Sequence, residues 1–225
     1  MKHLVLPLRN VSYETALNQL QSVRAFLAVR GRQASVALTI ERDPWGIAAK
    51  RQTVDLRDRN RPDLIGKDSE RLVEVINMVA TLERLIDAIC WFRDLPDSGA
   101  YTISECHPST SCGQQANDLV LVDRELRISS RCEVTDVAGD SAGQNGKEKR
   151  DLKGLGCETI VPDDSVRRFI CTSAEFANAL CSHARKWNLR HYRYLSHPTT
   201  TDTTLLELTP VKKRMANPAS QSLVV

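Results

Sequence analysis

The sequence predicts an α/β fold, with a mixed central sheet set behind a helical N-terminal part. Three observations point there. From Lys67 to Phe92 apolar residues recur at helical spacing, the longest such run in the chain. Past Gly99 the apolar segments become short and are bounded by turn-forming residues, as strands are. Between those short runs lies another helical pattern, Ser173 to Trp187, so helices and strands alternate.

Taken in order, His3 to Leu8 is a short apolar strand. Ser12 or Glu14 to about Arg30 is a helix, with Leu17, Leu20, Val23 and Leu27 on one face and Gly31 as its stop. Val36, Leu38 and Ile40 alternate, which predicts a strand over Ala34 to Glu41. Residues 42–66 hold Pro44, Gly46, Pro62, Gly66 and many charges, and read as a loop or arm. The Lys67 to Phe92 helix carries Leu72, Val75, Ile76, Val79, Leu82, Ile86 and Ile89 as one apolar stripe. Tyr101 to Glu105, Asp118 to Asp123 and Arg131 to Val137 are strands, followed by a flexible loop at 138–146 and a short helix from Lys147 to Leu155. Arg168 to Thr172 is a strand and Ser173 caps the next helix. His191 to Leu195 and Thr204 to Leu208 are further strands, and a frayed tail begins near Lys212. The organisation expected is a helix and strand extension with a basic loop at 1–66, an α/β core at 67–198, and a terminal strand and tail at 199–225.

A length of 225 residues allows one sizeable core. The net charge of +3 is too small to imply a polyanionic partner by itself. Lysines and arginines do cluster at 24–32, 50–61 and 147–153, and such runs can neutralise phosphates. Seven cysteines cannot all pair within one chain, and several lie in apolar segments where a thiol acts as a small hydrophobe. The opening apolar stretch, Leu4 to Leu8, is too short for a secretory leader. No apolar run approaches the roughly 20 residues that span a bilayer. The expected setting is therefore a reducing cytoplasm, with no membrane partner.

The chemistry concentrates between Asn117 and Lys153. Asp118 opens one apolar strand and Glu133 sits within the next, with Lys147, Lys149 and Lys153 beyond. If the strands are neighbours the two carboxylates can converge. Mg²⁺ suits such a pair, since it binds through one or two carboxylates and completes its shell with waters and phosphate oxygens. A nearby lysine would offset the charge that develops on the phosphate.

On these residues, and on the order helix 67–92, three strands, helix 147–155, strand 168–172, the chain resembles the PD-(D/E)xK superfamily of metal-dependent nucleases, the restriction endonuclease-like fold with an αβββαβ core. The resemblance implies a restriction-type endonuclease that hydrolyses double-stranded DNA with Mg²⁺, or Mn²⁺ in its place. Asp118 and Glu133 would be catalytic and hold the metal. Thr135 stands where the motif has lysine, so Lys149 is the expected substitute, with Lys147 and Lys153 as further candidates. A carboxylate from the first helix, Glu70, Glu74 or Glu83, could join the site, and Gln115 could face the DNA. A homodimer through the N-terminal and 67–92 helices would let both strands be cut. The competing expectation is an inactive nuclease-fold module that binds nucleic acid or a protein.

Other patterns carry less. The loop Ser141 to Lys147 lacks the first glycine of a phosphate-binding loop and has Glu148 where Ser or Thr belongs. Cys106, His107 and Cys112 form only one ligand cluster, whereas structural zinc sites show two close pairs.

Overall fold

The computed structural model describes residues 8–40 (backbone alone for 36–40), 52–57, 69–107, 117–135, 155, 165–177, 192–199 and 201–210. Helix α1 spans Tyr13–Ile40. Ser12 begins it, its Oγ accepting from the Thr15 amide at 3.2 Å. Strands β1 (Thr53–Asp55) and β2 (Ser69–Arg71) pair antiparallel and lead into helix α2, Leu72–Arg93. A short 3₁₀ turn at Ser98–Ala100 follows. Then come β3 (Thr102–Cys106), β4 (Leu119–Val122), β5 (Ile128–Val134), β6 (Arg167–Ser173), β7 (Tyr192–Pro198) and β8 (Thr203–Pro210).

These last six strands make one mixed sheet in the order β3-β4-β5-β6-β8-β7. β3, β4 and β5 form an antiparallel meander, β6 runs parallel to β5, and β8 lies antiparallel between β6 and β7. The molecule is thus mixed α/β, as the alternation of periods predicts. The interior strands β4, β6 and β8 are buried on both faces. On one side Ile103, Leu121, Cys132, Val134, Phe169 and Leu205 meet the apolar stripes of α1 and α2. On the other, Ile170, Leu206 and Leu208 pack with Leu155, Phe176 and Tyr192. No helix among the described residues is long and apolar enough to cross a membrane.

Two expectations are corrected by α1. Gly31 does not stop the helix, and the strand predicted over Ala34 to Glu41 is helical as far as Ile40. The reason is tertiary: Gly31 is buried against α2, where an added Cβ would stand 3.5 Å from Val75 Cγ1. Packing against α2 offsets the cost of about 1 kcal/mol that an interior glycine carries relative to alanine. Ser35 then returns its hydroxyl to the Gly31 carbonyl at 2.9 Å. Because 3.5 Å is ordinary van der Waals contact, Gly31→Ala is expected to stabilise the protein by about 0.5–1 kcal/mol. Urea unfolding reads this directly; a lower midpoint would mean that the helices cannot accept the methyl.

The stripe on α2 is also shifted. Leu72, Val75, Leu82 and Ile89 are buried as expected, joined by Met78, Leu85, Ala88 and Phe92, but Ile76 is 45% exposed. The charged arm at 42–66 contains β1, whose Val54 is buried. The strand expected over His3 to Leu8 is described only at Leu8, which bridges Cys106. β8, expected as a terminal addition, is an interior strand. The predicted helix 147–155 lies outside the described residues except for Leu155, and the helix after β6 is described at 174–177.

A polar cluster ties β6, β7 and β8 together. Glu207 accepts from Arg167 Nε at 2.8 Å and Nη2 at 3.2 Å, and pairs with His197 Nε2 at 3.0 Å. Burial pushes the Glu207 carboxyl up, but the hydrogen bonds from Arg167 and His197 outweigh it and hold the group below its usual range. A carboxyl depressed on folding contributes stability that is complete above its unfolded pKa, about 4.3, and is lost as pH falls through the folded value. Glu207→Gln is therefore expected to be less stable than wild type near pH 7, by about 1 kcal/mol after allowance for the half-exposed Arg167. The difference should shrink as pH drops below about 4.3. Urea midpoints at several pH values check both parts.

Candidate metal-holding site

The two acids singled out by the sequence meet at one end of the sheet. Asp118 lies at a bend just before β4, and Glu133 lies near the carboxyl end of β5. β4 and β5 are neighbours, with Leu119 in register with Cys132. Two hydrogen bonds cross between them in reciprocal fashion. Asn117 Nδ2 donates to Glu133 Oε1 at 2.6 Å, and the Val134 amide donates to Asp118 Oδ2 at 2.7 Å. Each carboxylate is thereby fastened to the residue that adjoins the other acid. Asn117, Asp118 and Glu133 are all buried, at 5–6% exposure.

Register assigns Glu133 to a face. It pairs with Ile170, whose side chain belongs to the core on the far side from α1 and α2. Alternation along β5 carries Arg131, Glu133 and Thr135 on that same face. Arg131 is in register with Arg168, so two guanidinium-bearing residues precede the acid on this side. Arg168 is buried and donates to the carbonyls of Leu155 at 2.8 Å and Val166 at 2.7 Å. Asp118 also makes itself felt across the sheet. Burial pushes the Cys106 thiol up, and the Asp118 charge pushes it further. Burial and the neighbouring Cys171, Asp118 and Glu133 do the same to Cys132. Both thiols are buried in the core and held protonated, which makes them poor nucleophiles.

The remaining sequence candidates fall elsewhere. Glu74 lies in the first turn of α2, within 3.3 Å of Arg71, and does not join the acid pair. Glu83 binds Arg24 from α1. Gln115, Lys147, Lys149 and Lys153 lie outside the described residues. Cys106 faces the core and His107 pairs with Glu105 at 3.2 Å. Among the described residues no third His, Cys, Asp or Glu completes a metal-holding group around the pair. Two carboxylates are a donor set of the kind Mg²⁺ uses, since that ion takes most of its ligands from water and substrate.

Asn117, Arg131 and Arg168 escaped the sequence reading. Alternation from Glu133 would have found Arg131, and adjacency to Asp118 would have flagged Asn117. Arg168 needed the β5–β6 register, which no local pattern encodes. No family model, no curated protein and no solved structure matches the chain.

Proposed function

We propose that the protein is a divalent-metal-dependent endonuclease that hydrolyses phosphodiester bonds in double-stranded DNA, with Asp118 and Glu133 as the metal-holding pair. One observation carries the reading: the reciprocal clasp that brings two buried carboxylates to the same end of adjacent strands. Its setting gives support, because a helix, an antiparallel three-strand meander and a parallel fourth strand follow in the order of a restriction endonuclease-like core. Mg²⁺ or Mn²⁺ bound there would supply Lewis acidity and a lowered pKa for bound water.

The chain's own residues do the rest. Asn117 fixes the Glu133 carboxylate, as an amide partner to a metal ligand commonly does. The Val134 amide holds Asp118. Arg131, on the face of Glu133, supplies positive charge toward the phosphate, and Lys149 is the proposed partner from the basic run. Water attacks phosphorus and forms a new P–O bond as the bond to the leaving oxygen breaks. The attacking water gives up a proton to solvent, and the leaving oxygen takes one from solvent. A C2 dimer is the simplest arrangement for cutting both strands.

Supercoiled plasmid incubated with the full chain and Mg²⁺ or Mn²⁺ tests the reading. Nicked and linear forms are expected with metal and none with EDTA. Plasmid retained in a gel shift but never cut would instead favour the binding module that Thr135, in the lysine position, suggests.

A further inference from the structure

Two buried hydroxyls beside the acid pair have no hydrogen-bond partner among the described residues: Oγ1 of Thr135 and Oγ1 of Thr172. Both side chains are closed off, at 1% and 0% exposure. They are also neighbours. Val134 is in register with Cys171, and the Thr135 amide donates to the Cys171 carbonyl at 3.0 Å, so the parallel ladder continues by one step to set Thr135 opposite Thr172. Both project on the face that carries Glu133 and Ile170. Thr204, buried and in register with Thr172, extends the row onto β8.

Unpaired buried hydroxyls are costly, and folded proteins seldom keep them. Here two occur side by side, each with one hydrogen to give and lone pairs to receive. Adjacent strands stand about 4.8 Å apart. Neither hydroxyl bonds the other here, and a span of this order suits a bridging water with two bonds of about 2.8 Å. A buried water takes about three partners. Glu133, two residues back along β5 on the same face and so about 7 Å away, lies within a second water's reach of it.

We infer that the hydroxyls of Thr135 and Thr172 hold one buried water at the carboxyl end of the β5–β6 pair and act as positioning residues for the attacking water at Glu133. The role rests on the hydrolase reading above; the water does not. Thr135 is then a positioning group in its own right, filling the lysine position with a hydroxyl that works together with one from the next strand.

The test uses the full chain with Thr135→Val, Thr172→Val, both together, and the two Thr→Ser forms. In urea, each Val form is expected to unfold at a lower midpoint than wild type. The double form should fall little further, since losing either hydroxyl releases the same water, and the Ser forms should lose only what a buried methyl contributes. A midpoint raised by Val would mean that the hydroxyls were simply unpaired, and would overturn the inference. In plasmid cleavage with Mg²⁺, the Val forms are expected to lose about tenfold in kcat with KM unchanged, and Ser should restore it. A lowered midpoint with unchanged kcat overturns the positioning role. Magnetisation transfer from a long-lived water to the Thr135 and Thr172 methyls reads the site in wild type, and its absence also refutes the proposal. Should wild type cut no DNA, the hydrolase reading fails alone, and the urea and water measurements still decide the bridge.

Discussion

Glu133→Gln and Asp118→Asn are each expected to reduce metal-dependent plasmid cleavage by at least about 10²-fold while leaving the fold intact. The structural cost is small because each amide keeps the shape and one carbonyl acceptor. In the first variant the new amide oxygen can still accept from Asn117, and in the second from the Val134 N–H. What disappears is negative charge, and with it affinity for a hard dication, which prefers charged oxygen. The loss should therefore show in the metal concentration needed for half activity as well as in the rate at saturation. Circular dichroism and urea midpoints near wild type would establish that the site, and not the sheet, was altered. Cleavage that survived both substitutions would place the chemistry elsewhere in the molecule. The double variant is expected to be little worse than either single one, because on the proposed reading the two acids would serve one ion and act as a unit.

How far the sequence reaches follows from the range of each interaction. β4 and β6 were legible from their apolar centres and β3 as a short segment set off by turn residues at 97–99, and their observed limits fall close to those expected. α2 was legible from its stripe, though Ile76 was misassigned, since the width of a buried stripe depends on what packs there. The far end of α1 was not legible, because Gly31 packs beside Val75 and Leu72 of α2, residues distant in sequence. β1 was hidden by charge, with only Val54 of its three residues buried. The insertion of β8 between β6 and β7 is a matter of pairing, and pairing has no local signal. The candidate site divides in the same way. Asp118 and Glu133 stand out as acids in apolar strands, whereas the pairing of Arg131 with Arg168, and of Thr135 with Thr172, exists only once β5 and β6 are in register.

Phe169→Ala is expected to destabilise the protein by about 3–5 kcal/mol, a large share of the roughly 5–15 kcal/mol that holds a typical domain. Phe169 is fully buried at the centre of the face that meets α2. Its ring meets Phe92 edge-on with centroids 5.0 Å apart, and Trp91 at 5.6 Å with a 60° tilt. The Arg167 guanidinium covers the same ring at 4.9 Å, held there by Glu207. Removing the ring takes away apolar burial, two aromatic contacts and a cation–π contact, and leaves a cavity that the neighbours fill only in part. Phe169→Leu should cost less, since it refills most of the volume. Urea unfolding at constant m measures both, and a loss below about 1 kcal/mol for the alanine form would show that the α2 contact is not closely packed. The same variant also separates stability from the site. Phe169 and Glu133 stand on opposite faces, so below the unfolding transition each folded molecule should show the wild-type level of the proposed cleavage. Its heat and urea tolerance should fall because β6, the parallel partner that registers Glu133, loses its anchor to α2.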